Sequence, residues 1–326
     1  MRKLLFLPIA LASLTTISSA QTITQNFGAG ANAFSIDFAT IGNPNNVADT
    51  TGDPNPAGSV GYIYNIAKYE VSREQIDKAN SAGSLEITMY DMTIHGGNGV
   101  NKPATGISWY EAAKFVNYLN TSTGYHAAYK FSGSTFQLWS STDAGYNADN
   151  LFRNSLAKYV IPNSNEWYKG AYGSPSGTWY NFATGSDSAP TAIASGTAAN
   201  TAVYYGQSGV QSGPADITSA GGLSAYGTMG QGGNVSEWTE TEYDVGNNWE
   251  GYPGNNWAGE RREVRGGAYQ TLTSGLIPSE RDFYSGMPTT EKNYIGFRVA
   301  MIPEPSSLSL LVLGGAVVAL CRRKRA

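Results

Sequence analysis

Cysteine is nearly absent: the 326-residue chain has one, Cys321, close to its end. An exported protein is free to form disulfides, but a lone thiol has no partner in its own chain, so this fold holds without them. Histidine is almost as scarce, with only His95 and His126. Both lie in loop-like settings, Ile94-His-Gly-Gly97 and Gly124-Tyr-His126, where an exposed or hydrogen-bonded ring is the plain reading and an isolated acid or base the alternative. No Ser-His-Asp order, metalloprotease helix motif or phosphate-cradling glycine loop is present. Serine is plentiful, yet without a placed base it is a polar loop residue rather than a nucleophile. Charged residues make up only 14% of the chain. There is no internal repeat and no sustained heptad pattern.

What is present is informative at both ends. Arg2 and Lys3 precede the apolar run Leu4 to Leu14 and the small-residue site Ile17-Ser-Ser-Ala20, the layout of a secretory leader cleaved before Gln21. A buried first helix is the alternative, disfavoured because the run is too short to span a membrane and is followed at once by polar residues. At the other end, Pro303-Glu304-Pro305 is followed by an apolar run from Leu308 to Leu320 and then by Arg322, Arg323, Lys324 and Arg325. The run is shorter than the roughly 20 residues of a stable span, and the basic block is expected on the cytoplasmic side. This order of parts resembles the PEP-CTERM sorting signal. The resemblance implies a short transmembrane helix that anchors the chain at least transiently, recognition by an exosortase in a Gram-negative-type bacterium, and delivery to the cell surface or the extracellular space. A permanent C-terminal anchor is the alternative. Cys321 belongs to this tail.

The whole chain carries a net charge of −4; without the leader, which holds two positive charges, and residues 303–326, which hold a net three, residues 21–302 carry −9. Such an acidic body is a poor partner for nucleic acid, whose phosphates call for clustered Lys and Arg.

The roughly 280 residues between the labels suit one large domain or two small ones. With 39 glycines and 12% aromatic residues they read as a loop-rich extracellular body rather than a helical bundle. Residues 21–58, with Gly28-Ala-Gly-Ala31 and Asn43-Pro-Asn-Asn46, read as a loosely ordered N-terminal lead segment before a domain over 59–301. Ser108 followed by Glu111 predicts a capped helix over 108–119, with Ala112, Phe115, Val116 and Leu119 on one face. A second helix is predicted over 163–171, after Pro162. Residues 61–71 alternate as a strand, and 183–225, rich in Gly, Ser, Thr and Ala, read as long ordered loops.

Six landmarks occur in order: Tyr69-Glu-Val-Ser72, Ile107-Ser-Trp109, Val160-Ile-Pro-Asn-Ser-Asn-Glu-Trp167, Gly233-Asn-Val-Ser-Glu-Trp238, Val264-Arg-Gly-Gly267 and Ile295-Gly-Phe-Arg-Val299. The series resembles the formylglycine-generating enzyme (sulfatase-modifying factor) domain family over roughly residues 60–300. That implies one compact α+β domain with little regular secondary structure, related in architecture to C-type lectins. Each landmark also has a structural reading. Trp109, Trp167 and Trp238 are expected to fill the core and bond through their indole N–H groups. Arg265 and Arg298 either hold a bound carboxylate or sulfate or, as the plainer reading, pair with internal acids or carbonyls.

In active relatives two cysteines five residues apart follow the Arg-Gly-Gly turn, bind copper and oxidise a substrate cysteine. By register Thr271 and Leu276 stand at those positions, so no copper is expected: soft Cu(I) wants sulfur, and redox thiol chemistry needs the thiolate. The three-histidine iron site of other relatives is excluded by the histidine count. The resemblance also implies a structural calcium loop, with the carbonyls of Gly233 and Val235 and the carboxylate of Glu237 as ligands, and Asn200 and Thr201 at a second position. Calcium takes six to eight hard oxygens; the alternative is that Glu237 and Asn234 serve only loop amides. The expectation is an exported, non-catalytic protein that binds a partner, carbohydrate being one class, through its loops. Alternatives are an enzyme of altered mechanism, a metal-dependent oxidase or hydrolase, and a structural matrix protein.

Overall fold

The computed structural model describes residues 22–205, 213–243, 261–281 and 286–303. The leader, Glu304, Pro305, the apolar run from 308 and Arg322 and Arg323 lie outside the described residues. Among the described residues no helix is long and apolar enough to cross a membrane.

Among the described residues three α-helices are each started by the same local device. Ser72 caps α1 (Arg73–Gly83), Ser108 caps α2 (Trp109–Thr121) and Asn163 caps α3 (Ser164–Tyr172). In each, the cap side chain accepts from the backbone amide three residues on, while Gln75, Glu111 or Glu166 returns the bond to the cap residue's own amide. Two of the amides that every helix start leaves orphaned are thereby satisfied without help from the rest of the fold. The expected helices over 108–119 and 163–171 match α2 and α3 to within two residues at either end.

Twelve short strands follow in chain order: β1 (Thr22–Phe27), β2 (Phe34–Ile41), β3 (Tyr64–Ala67), β4 (Lys130–Ser132), β5 (Thr135–Gln137), β6 (Tyr159–Val160), β7 (Thr191–Ala192), β8 (Thr201–Ala202), β9 (Ser236–Glu242), β10 (Arg262–Arg265), β11 (Ile295–Phe297) and β12 (Ala300–Met301). The main sheet has the order β1-β2-β3-β12-β6, antiparallel throughout. A second sheet runs β10-β9-β11, with β11 parallel to β9. The last strand therefore sits inside the main sheet, and the chain leaves it at the exposed Pro303, where the sorting signal begins.

One expectation is corrected here. The segment read as a loosely ordered lead supplies β1 and β2, two of the five strands of the main sheet. The glycine and Asn-Pro signals mark only its turns, whereas Phe27, Phe34, Ile36, Phe38 and Ile41 between them are buried in the principal core. The strand expected over 61–71 is confined to β3, because the chain turns at Lys68 to deliver Glu70 and start α1. The described residues of 183–225 are loops, as expected, tied by the two-residue β7–β8 pairing and interrupted by a 3-10 turn at Ile217–Ser219.

The principal core lies between the main sheet and α1 and α2. Trp109 anchors one end, with its ring edge-on to Tyr129 and Phe136 at 5.1 and 5.2 Å. Behind it Arg153 holds two carboxylates at once, Glu166 at 2.9 Å and Glu240 at 2.8 Å. A smaller cluster joins Phe182, Ala192, Ala202, Tyr204 and Leu276 beneath the long loops.

Candidate functional site

The three landmark tryptophans are fully buried. Their indole N–H groups donate to the Thr239 carbonyl (3.0 Å), the Glu237 carboxylate (2.7 Å) and the Ile107 carbonyl (2.8 Å) for Trp109, Trp167 and Trp238 respectively. These residues carry the fold, as the structural reading expects.

Arg298 is a staple of the same kind. Its Nε and Nη2 donate to the two oxygens of Glu237, both at 2.6 Å, and the remaining capacity goes to the carbonyls of Ala67 and Met229, both at 2.8 Å. This joins β9, the link between β11 and β12, the end of β3 and the turn at Met229. Both oxygens of Glu237, the carboxylate expected on calcium, are engaged by Arg298, and one also accepts from Trp167. Glu70 lies beside it. Burial, with the Glu237 charge adding to it, pushes the Glu70 carboxyl up to about 8. Its oxygens accept from Asn234 Nδ2 at 3.1 and 2.9 Å and from the Val235 amide at 3.3 Å.

The remaining residues of the expected calcium positions lie on neighbouring turns. Gly233 has φ +97, and a Cβ there would sit 2.4 Å from the Val203 carbonyl oxygen, so glycine is required. The Asn234 amide donates to that carbonyl at 2.7 Å, which brings the 233–235 turn alongside the segment that follows Asn200 and Thr201. Asn200 accepts from the Thr184 hydroxyl at 2.8 Å, and Thr201 donates to the Ala198 carbonyl at 2.7 Å. Among the described residues no group of three or more His, Cys, Asp or Glu is placed to hold a metal ion.

The Arg265-Gly-Gly turn is different. Gly266 (φ +93) passes so close to the Gln231 carbonyl that a Cβ would lie 2.6 Å from its oxygen, and this lets the chain reverse at the end of β10. The Ala268 amide then donates to the Thr271 hydroxyl oxygen at 2.8 Å, closing the turn. Leu276, only 1% exposed, packs under the long loops against Phe182 and Tyr204. Of the two positions that the family resemblance assigns to thiols, one closes a backbone turn and the other plugs an apolar cluster.

Against this turn lies a pocket of about 180 Å³, whose lining includes Ser236, Arg265, Thr271, Glu280, Arg281 and Tyr294. Glu263 sits behind it and accepts from Arg265 at 2.9 Å and from Arg281 at 2.6 Å. Burial would raise the Glu263 pKa, but the two guanidinium groups outweigh it and hold the group below the usual carboxylate value. Arg265 also donates to the carbonyls of Asp53 and of Pro278, the latter at 3.2 Å. Its Nε, fully buried, has no hydrogen-bond partner. The sequence singled out Arg265 and Thr271; Glu263, Arg281 and Tyr294 it did not. The one local signal was the alternation of charge in Arg261-Arg-Glu-Val-Arg265, which places Glu263 and Arg265 on one face of β10. His95 and His126 lie on loops away from this lining.

A single α+β domain with three self-capped helices, a mixed β-sheet framework and an Arg-Gly-Gly turn leading into a pocket defines the class. The chain belongs to the sulfatase-modifying factor family: residues 39–302 match the sulfatase-modifying factor enzyme 1-like domain. Residues 302–325 match the PEP-CTERM protein-sorting motif, so the domain carries a signal for exosortase-type sorting and export. No curated protein matches the chain. Among solved structures, Treponema denticola variable protein 1 is 20% identical, with a TM-score of 0.55 over 86% of this chain and 99% of its own. PvdO from Pseudomonas aeruginosa is 17% identical, with a TM-score of 0.56 over 86% and 98%. CarF is 18% identical, with a TM-score of 0.55 over 87% and 99%. At these identities the likeness speaks for the fold alone.

Proposed function

We propose that the protein is an exported, non-catalytic member of its family, displayed at the cell surface or released from it, which binds an extracellular ligand through the loops around the Arg-Gly-Gly turn. The observation that carries this reading is the fate of the two thiol positions. Thr271 spends its hydroxyl oxygen on the Ala268 amide and Leu276 is a core residue, while the chain's one cysteine lies in the sorting tail. Neither position can supply the soft ligand or the thiolate that the family's oxidation needs. Loops on a rigid scaffold are the usual seat of recognition, and 21 tyrosines with abundant Asn, Ser and Gly make up the adaptable, aromatic composition of binding surfaces.

In this reading the apolar run from Leu308 to Leu320 anchors the exported chain until the sorting machinery acts on it. Fractionation of cells making the full chain, with mass measurement of the mature C-terminus, tests this; a product still ending at Ala326 contradicts processing. Oxygen consumption by the mature protein, supplied with copper and a thiol peptide, tests the loss of catalysis, and the expected rate is that of buffer. Calcium is not required in this reading, because Glu237 is committed to Arg298. EGTA is expected to leave the melting temperature within about 1 °C, where a tightly bound structural ion would raise it by mass action.

A further inference from the structure

We propose that the end of the main sheet from which the chain leaves β12 lies on the bilayer that the sorting tail enters, with Tyr62, Ile63 and Lys158 at the lipid surface. The inference rests on the reading of the tail as an anchor and adds which face of the folded domain meets the membrane. Strand register supplies the geometry. β12 pairs with β3 on one side, Met301 opposite Asn65, and with β6 on the other, Met301 opposite Tyr159. The exit of β12 is therefore level with the starts of β3 and β6 and, through the pairing of Ile41 with Tyr64, with the end of β2. β1 begins at the same end, since Thr22 pairs with Ala39. The segment read as a leader and the sorting motif thus join the body at one end of one sheet, three strand spacings or about 14 Å apart.

The length of chain beyond β12 limits how far that end can stand from lipid. Ile302 still donates its amide to the Lys158 carbonyl at 2.9 Å, and the apolar run begins at Leu308. Residues 303–307 between them reach at most about 18 Å when fully extended. The headgroup layer on one side of a bilayer takes up about 5–8 Å of that, which leaves roughly 10 Å between the sheet and the lipid surface. A domain of about 280 residues is roughly 45–50 Å across, so a tether this short does not let it roll over. The same end faces the bilayer for as long as the tail is in place.

What that end exposes suits a lipid boundary. The loop of residues 42–63 leaves β2 and returns to β3 here, and its exposed apolar side chains are Val47, Tyr62 and Ile63, at 85%, 39% and 51%. Continuing the β12–β3 register by two residues sets Ile63 beside Pro303, at the start of the sorting motif. The Tyr62 hydroxyl is already spent on Glu166, to which it donates at 2.5 Å. The loop's two acids are engaged as well: Asp49 is buried and accepts from Tyr168 at 2.6 Å, and Asp53 pairs with Arg281 at 3.4 Å. On the other side of the exit Lys158, half-buried, is held by an aromatic residue, its Nζ 3.1 Å from the Tyr125 hydroxyl and 4.8 Å from the centre of that ring. Apolar and aromatic side chains beside a lysine, with the nearby carboxylates engaged, match the headgroup boundary, where apolar tips enter and a cation meets anionic lipid.

The test uses the full chain with Cys321→Ser as background, reconstituted in vesicles of phosphatidylethanolamine and phosphatidylglycerol spin-labelled on the acyl chain close to the headgroup. Ile63→Cys carries a fluorescent label on the proposed face, and Ala31→Cys carries one on the turn that joins β1 to β2 at the other end of the sheet. Both side chains are exposed, and the melting temperature is expected to be unchanged by either. The label at 63 is expected to be quenched at least about threefold more strongly than the label at 31, as contact at a depth of about 5–10 Å requires. Equal quenching at the two positions overturns the orientation. No quenching at 63, with cross-links from that position to protein in whole cells, gives the face to a protein partner and overturns the lipid contact. A full chain that fails to float with the vesicles overturns the anchoring reading beneath the inference.

Discussion

Arg298 and Arg265 look alike in the sequence, each beside glycine in a short family landmark, and both are buried in the fold. They are used in opposite ways. Arg298 sends two bonds of 2.6 Å to Glu237 and the others to main-chain carbonyls that three separate segments bring to it. Arg265 pairs with Glu263 through one nitrogen, shares that acid with Arg281, and keeps Nε unpartnered at a pocket. Arg298 is a saturated structural staple, whereas Arg265 shares its acid and leaves one buried N–H without a partner. The first region is a staple of the framework, and the second is the region where the proposed loss of the family's chemistry falls.

The largest expected effect comes from breaking the saturated arginine. Arg298→Met strands the Glu237 charge inside the protein and is expected to cost about 3–5 kcal/mol, read as a fall in the denaturation midpoint. A cost below about 1 kcal/mol would place Arg298 with Arg265 and erase the contrast. Leu276→Ala comes next, at about 2–5 kcal/mol, because the side chain fills the cluster of Phe182 and Tyr204. A near-neutral result would mean that this position still faces the pocket.

Glu70, next to the staple, sharpens the comparison through pH. Its folded pKa is raised from 4.5 to about 8, so between those values the native state holds a proton that the unfolded chain has released. Its contribution to stability is full below about pH 4.5 and is lost as pH rises through 8. Glu70→Gln is expected to flatten the decline in melting temperature between pH 5 and pH 8, and an unchanged pH profile would contradict the assignment. The smallest effect on folding is expected from Tyr205→Ala, within about 0.5 kcal/mol for an exposed side chain.

Much of the framework was legible because it is built from local signals. Ser108 with Glu111 and Asn163 with Glu166 announce their helices within four residues, and the tryptophans could hardly be anything but core. Ser72 and Gln75 carry the same capping signature and mark α1, which the strand pattern of the preceding residues obscured. β1 and β2 were hidden for another reason: they pair with each other and β2 joins β3, and what orders them is burial of Phe27, Phe34 and Phe38 against residues far along the chain. The same limit governs the site. Nothing in the glycine-rich turn around Glu237 says that Arg298, 61 residues on, engages both of its oxygens. Likewise, nothing in the order of residues says that Arg265 Nε lacks an acceptor, since that depends on where Asp53, Glu263 and Pro278 arrive.

Oxygen uptake by the mature protein, loaded with copper and offered a cysteine-containing peptide, bears most directly on the claim that the fold has exchanged oxidation for binding. The expected trace is indistinguishable from buffer with copper, with every peptide thiol recovered. Catalytic oxygen consumption with loss of the peptide thiol would contradict it, because Thr271 and Leu276 offer no sulfur through which that chemistry could run.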